Sequence, residues 1–168
     1  RPYTRGHWED TEFGWTWVSD LPFGWATFHY GRWFYDAGVG WAWRPGTTWG
    51  PAWVSWRTGG GYVGWAPLPP GASYGGSYTV YRTSWVFVSY SHFGSTVIAP
   101  VMITGYAYDD CYRATRRSRS VVVHGGHRHY AGPDRDRVRH HGGRVVSRPI
   151  ADVDRDRPTS RPPRGTTI

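Results

Sequence analysis

Three histidines lie close together near the C-terminal end, His124, His127 and His129 in the segment HGGHRHY. Neutral imidazoles so near one another can ligate zinc, copper or nickel. Their spacing matches no standard zinc signature, and no cysteine or carboxylate stands between them, so a solvated loop is the competing interpretation. The three are candidate metal ligands, and the sequence predicts no bound cofactor.

Other residues with reactive side chains do not form a recognisable catalytic arrangement. The carboxylates of 109–110 precede the single cysteine, Cys111, but no histidine is placed to activate it, and one cysteine excludes a disulfide within the chain. Glu9, Asp10 and Glu12 fall in a predicted polar turn. The glycines of 58–61 lack the Lys-Ser/Thr ending of a phosphate loop and are typical of a hairpin turn. We therefore expect no catalytic residues and a protein that is not an enzyme.

Tryptophan repeats organise the first part of the chain. Three segments share a tryptophan, a polar or glycine-rich turn and a Gly-Trp pair: HWEDTEFGWTW from His7, RWFYDAGVGWAW from Arg32 and SWRTGGGYVGWAP from Ser55. Their starts are 25 and 23 residues apart, a period typical of repeated supersecondary units. The pattern predicts three β-hairpins in series. The predicted structural anchors are Trp8 with Trp15, Trp33 with Trp41, and Trp56 with Trp65.

The tryptophans can supply the core that such short repeats need. Burying one indole removes roughly 150–250 Å² from water, which stabilises the fold by at most about 4–6 kcal/mol. We expect most rings to be packing, and the alternative is an exposed ladder of rings that stacks on sugars. If a ligand surface exists, the connecting segments are predicted to supply it, because loops commonly carry recognition. The residues concerned are Trp25, Tyr30, Trp49 and Trp53.

The residues after the repeats also favour strands. In SYTVYRTSWVFVSY, Trp85 and Phe87 share one face and Val86 and Val88 the other, which predicts a strand buried on both faces. STVIAPVMITGYAY is a further apolar run, and its proline indicates an edge or a bulge. Because residues 1–110 show no sustained helical period, the predicted class is all-β, as an open curved sheet or a small barrel.

The last segment differs in composition from the rest. The net charge of +8 is concentrated in residues 111–168, where fourteen arginines face five acids. We predict three parts: a Trp-rich hairpin region over 1–72, additional strands over 73–110, and an extended basic arm over 111–168. SVVVH and GRVVS are short strand-like islands that could pair with the body or with a neighbouring subunit.

Several blocks resemble a known family. HYGRW, GWAW, PAWVSWR, GYVGWAPLPPG and WVFV occur in this order, followed by GPDRDRVRHHGGRVVSRPI, and together they resemble the Trp-rich bacterial family called domain of unknown function 6600. The resemblance covers most of the chain. It implies an exported protein of the Gram-negative cell envelope, located in the periplasm, on the outer surface or outside the cell. It implies no activity.

These observations favour a protein that works by contact. We expect a structural or protein-binding subunit of an envelope or extracellular assembly, with the arm contacting other copies or other proteins. A carbohydrate- or peptidoglycan-binding module is the second candidate. Nucleic acid is the third, and it is disfavoured because the arginines and the aromatic rings lie on different segments. No run of apolar residues is long enough to predict a transmembrane segment.

Overall fold

The computed structural model describes residues 1–124 and 126–158, without the side chain of His127. Strands are its main element, and all strand pairs are antiparallel. Short 3₁₀ helices lie at Arg82–Ser84, Tyr90–His92 and Ala99–Val101. The strands are β1 (Gly6–Thr11), β2 (Gly14–Ser19), β3 (Tyr30–Asp36), β4 (Gly40–Trp49), β5 (Val54–Gly59), β6 (Tyr62–Pro67), β7 (Val86–Ser89), β8 (Arg116–Arg117), β9 (Val121–His124) and β10 (His127–Tyr130). The helices are α1 (Gly24–His29), α2 (Tyr106–Ala114), α3 (Arg135–His140) and α4 (Ile150–Arg155).

Three hairpins in series form the first part of the fold: hairpin 1 (β1–β2), hairpin 2 (β3–β4) and hairpin 3 (β5–β6). Only hairpin 3 is extended by further strands, in the order β7-β6-β5-β8. Hairpin 3 turns through Gly60 and Gly61, both at positive φ, as a two-residue turn between twisted strands requires. None of the sheets in the described ranges closes on itself, so the all-β prediction is confirmed as a set of open sheets.

The hairpins repeat one tryptophan position, although the register differs from the predicted pairing. Directly opposite partners are Trp8 and Trp17, Trp33 and Trp43, and Trp56 and Trp65. In every hairpin these residues lie three positions from the end of their strand at the loop. The predicted partners in the first two hairpins, Trp15 and Trp41, lie two residues nearer the loop. The Gly-Trp pair does not mark the same position in each hairpin. It follows the loop directly in hairpins 1 and 2, whereas it comes later in hairpin 3.

Tryptophans from hairpins 1 and 3 form the centre of the core. Seven of the twelve indoles are buried: Trp8, Trp15, Trp17, Trp53, Trp56, Trp65 and Trp85. The ring of Trp8 lies 4.6 Å from that of Trp56 and 5.0 Å from that of Trp17, measured between centroids. Strand β7 has two buried faces, as its alternation predicts. Val86 and Val88 join the main core, while Trp85 and Phe87 pack in a second cluster with Cys111.

Some segments differ from the sequence-based expectation. The first connection between hairpins is helical (α1), whereas Trp53 in the second lies in irregular chain, so the two are not equivalent linkers. A helix of six residues is too short to show a period in the sequence. The run from Ser95 to Gly105 is irregular rather than a strand, because Pro100 lies in the first turn of a 3₁₀ helix.

The C-terminal part, predicted as an extended arm, folds back over the body within the described residues. SVVVH and the following residues form the separate β9–β10 hairpin. Farther along, the backbone of Asp10 bonds to Val146 and Arg148, at 2.8 and 2.9 Å. The indole of Trp15 donates to the carbonyl of Pro133 at 2.7 Å. This segment is held because it satisfies backbone groups of hairpin 1 that its own partner strand leaves open.

Candidate binding surface

The predicted metal ligands do not assemble into a site among the side chains that the structure describes. His129 is buried, and its Nε2 lies 3.3 Å from Nδ1 of His124, whose ring stacks on it. The side chain of His127 lies outside the described part. Within that part, no three histidine, cysteine, aspartate or glutamate side chains are placed to hold a metal ion.

Of the three acidic residues predicted in a polar turn, Glu9 and Asp10 are buried and structural, whereas Glu12 is exposed in the turn as expected. Glu9 and Asp10 are 5% and 7% exposed, although sequence placed them in solvent. Arg148 and His7 contact Glu9 at 3.4 and 3.0 Å, and Arg135 contacts Asp10 at 2.6 Å. Burial alone would raise the pKa of Glu9, but the His7 hydrogen bond and the charge of Arg148 outweigh it and hold that pKa below its usual value.

Asp109 and Cys111, which were also considered as residues for catalysis, have structural roles. Asp109 pairs with Arg82 at 2.5 Å on the surface. Cys111 lies fully buried on α2 against Ala66 and Trp85. Burial, together with the negative charge of the neighbouring Asp110, raises the pKa of the thiol, so it behaves as a small apolar residue.

The aromatic residues predicted for ligand contact are distributed over two places. Trp25 and Trp49 both pack on the buried imidazole of His29, with ring centroids at 4.2 and 5.7 Å. Trp53 is 8% exposed, and its indole donates to the carbonyl of His29 at 2.8 Å. Tyr30 accepts a hydrogen bond from the indole of Trp43 through its carbonyl. Of the four, Trp53 lines a cavity, which is described below.

Among the predicted structural anchors, four are core residues and two are not. Trp8, Trp15, Trp56 and Trp65 belong to the main core. Trp33 is partly buried against it, and its indole donates to the carbonyl of Thr27 at 2.9 Å. Trp41 is half-buried and contacts Tyr35, its cross-strand partner, at 5.7 Å between rings.

Hairpin 2 borders an aromatic groove that sequence reasoning did not identify. Its opposite wall is the segment from Pro67 to Ser84. Tyr35 and Tyr81 are 53% and 64% exposed. The groove comprises two adjoining cavities of about 400 and 480 Å³. Residues shared by both cavities are Tyr35, Trp41, Tyr81 and Ser84.

The far wall of the groove is positioned by helix α2 and by Arg1. The hydroxyl of Tyr108 lies 2.5 Å from the carbonyl of Arg82 and 3.1 Å from that of Trp85. Arg1 donates to the same Trp85 carbonyl at 3.0 Å. Prolines stiffen the same wall, since Pro67, Pro69 and Pro70 line the first cavity. The far wall of the groove is therefore held in place, and exposed rings face the groove from both walls.

A third cavity, of about 270 Å³, adjoins the groove through Arg44 and Pro70, which line both. It lies in a bulge of hairpin 2. Tyr30 pairs with Trp49, but the next pair is Arg32 with Arg44, so one residue of β3 faces four of β4. Those bulged residues, Pro45 to Thr48, line the cavity together with the arginine pair and Trp53.

Comparison with known proteins gives one match. A sequence model described as a family of unknown function (DUF6600) matches residues 1–72, which contain the three hairpins. No curated protein and no solved structure matched the chain. None of the helices in the described ranges has the length and apolar character to cross a bilayer. The three tryptophan hairpins are thus the part of the chain that is similar to the DUF6600 family.

Proposed function

We propose that this protein is a non-enzymatic binding module of the bacterial cell envelope that holds a glycan chain in the aromatic groove. The observation that carries the proposal is the exposure of Tyr35 and Tyr81 beside Trp41 in one groove. Rings that serve only packing are covered, as the core tryptophans are. Exported location is supported by the family resemblance of the hairpin blocks.

The groove suits a sugar chain better than a flat protein surface. Aromatic rings offer broad apolar faces for the C–H faces of pyranose rings, and the neighbouring hydroxyls of Thr79, Thr83 and Ser84 can bond to sugar hydroxyls. Each cavity has the volume of a small-ligand site, and the two share four lining residues. A chain of two or three sugar units could therefore lie along the groove.

Titration calorimetry with peptidoglycan fragments and purified envelope polysaccharides tests this proposal. We expect Tyr35→Ala and Tyr81→Ala each to weaken binding about tenfold, a loss of ~1.4 kcal/mol per ring. Tyr106→Ala is the matched control, because that tyrosine is fully exposed and lies outside the groove. Unchanged binding in both groove variants, or no binding of any glycan by the parent protein, would overturn the proposal.

A subunit of a protein assembly is the second candidate, and hairpin 2 favours it. Its two strands pair only with each other in the described chain, so both outer edges can accept a strand from another copy. Sedimentation of the full chain over a range of concentrations tests this. Self-association without glycan binding supports the assembly, and a monomer at every concentration contradicts it.

A further inference from the structure

Two arginines stand directly opposite each other in hairpin 2. Arg32 of β3 and Arg44 of β4 are cross-strand partners beside the bulge. Like charges in this position repel and destabilise the pair of strands. No carboxylate lines the adjoining cavity, and neither arginine has an acidic partner within 4.0 Å in the described chain.

Arg32 is held in place but incompletely satisfied. Its guanidinium carbon lies 3.9 Å from the centroid of the Trp53 ring, which fixes the plane of the group. Its Nη1 is buried and has no hydrogen-bond partner among the described residues. Burial lowers the pKa of Arg32, which shows that desolvation of the cation is not fully offset. A buried charged donor of this kind requires an acceptor.

The bulge forms the cavity that this arginine pair lines. The backbones of Gly31 and Gly46 approach so closely that a Cβ on Gly46 would lie 3.0 Å from Gly31. Gly31 itself has φ +80, which a side chain would strain. Thr47 and Thr48 add hydroxyl groups to the lining. The cavity thus combines cationic forks, hydroxyl donors and an aromatic floor.

We infer that the bulge cavity binds an anionic oxygen group, a carboxylate or a phosphate, carried by the sugar chain in the groove. This inference rests on the proposed function, since the cavity shares the lining residues Arg44 and Pro70 with the groove. The planar fork of arginine matches both groups and can donate two parallel hydrogen bonds to either. The ligand is accordingly an acidic glycan rather than a neutral one.

The experiment follows the arginine side chains by NMR. The ¹⁵N-labelled protein is titrated separately with glucuronate, inorganic phosphate and the neutral methyl glucoside. We expect the Nε–Hε signal of Arg32 to shift saturably with the two anions and not with the neutral sugar. Arg44→Gln should weaken the effect at least tenfold, whereas Arg113→Gln, an exposed arginine on another element, should leave it unchanged.

The outcomes separate the two proposals. Saturation by phosphate and by glucuronate with equal affinity means that the anion alone is recognised, and tighter binding of glucuronate means that its sugar ring also contacts the groove; both support the site. No saturable shift, or an equal shift in Arg44→Gln, overturns it. If anions bind at the arginine pair while Tyr81→Ala leaves every glycan interaction unchanged, the site stands and the proposed function fails. If neutral glycans bind the groove and anions do not bind at the arginine pair, the proposed function stands and the anion site fails.

Discussion

The indole rings of Trp8 and Trp65 pack edge to face with their centroids 5.5 Å apart, and this contact joins hairpin 1 to hairpin 3. Both rings are almost completely buried. The equivalent tryptophans of hairpin 2 are only partly buried. The repeated tryptophan position therefore has two roles. In hairpins 1 and 3 it builds the core, and in hairpin 2 it leaves part of the aromatic surface exposed.

Replacement of Trp65 by phenylalanine should destabilise the protein more than the same change at Trp17. Both side chains are fully buried, so the loss of apolar contacts is similar. The Trp65 indole donates to the carbonyl of Tyr3 at 2.9 Å, whereas the Trp17 Nε1 has no partner in the described chain. We expect a difference in unfolding free energy of about 1–2 kcal/mol, measured by urea denaturation. An equal loss in both variants would contradict it.

The buried imidazole of His29 should make stability depend on pH. Burial lowers its pKa to about 4, although Nδ1 donates to the carbonyl of Gly50 at 2.8 Å. The unfolded chain binds this proton near pH 6.5, so the free energy of unfolding falls as pH drops from about 6.5 to 4, by about 3 kcal/mol. His29→Gln, compared with the parent at each pH by denaturation, should show a flatter profile. Parallel profiles would show that the imidazole makes no contribution.

Loss of the buried charge at Glu9 should loosen the C-terminal segment. We expect Glu9→Gln to cost roughly 1–2 kcal/mol near neutral pH, because the buried carboxylate loses its charge-assisted contacts with His7 and Arg148. Asp136→Asn breaks the exposed pair with Arg139 and should cost under about 1 kcal/mol. Since the pKa of Glu9 is lowered in the fold, its contribution is present above the usual carboxyl range and is lost as pH falls through the folded pKa.

Two measurements check the Glu9 prediction. Denaturation of Glu9→Gln and of the parent should give curves that converge in acid. Limited trypsin digestion of Glu9→Gln at neutral pH should cut faster after Arg144 and Arg148 than in the parent. A variant as resistant as the parent would show that this carboxylate does not hold the segment.

Backbone amides of hairpin 2 should exchange hydrogen faster than those of hairpin 3. The strands of hairpin 2 form an isolated two-stranded sheet and are half-buried to exposed, whereas hairpin 3 lies inside a four-stranded sheet. We expect protection to be lower by at least tenfold, measured by NMR at neutral pH. If a bound acidic glycan raises protection in hairpin 2 alone, the groove is its site. Equal protection in the free protein would mean that hairpin 2 is held by contacts beyond those described.

The hairpins were predictable because their signals are local. Two or three residues between alternating segments determine a turn, and a tryptophan on each strand identifies the buried face. The pairing register of the strands was harder to predict, because the Gly-Trp pairs lie at different distances from the loop in different hairpins. The faces of β7 followed directly from the alternation between Trp85 and Val88.

The candidate site was not predictable because it depends on contacts between distant segments. Tyr35 and Tyr81 are ordinary tyrosines in sequence, and only folding places them across one groove. The bulge at Arg32 and Arg44 leaves a weak signal, the proline and glycine of 45–46 within a strand. The same reason hid the burial of Glu9, whose partner Arg148 follows 139 residues later.

The return of the C-terminal segment to Asp10 sets the order in which this protein can form. Ser147 reaches the carboxylate of Asp10 across a separation of 137 residues. Such distant pairings are slow to close and come late. In the nascent chain, the Glu9 and Asp10 carboxylates of hairpin 1 have no arginine partner until Arg135 and Arg148 have been synthesised. A chain that ends before these arginines would therefore keep an open, acidic edge on hairpin 1.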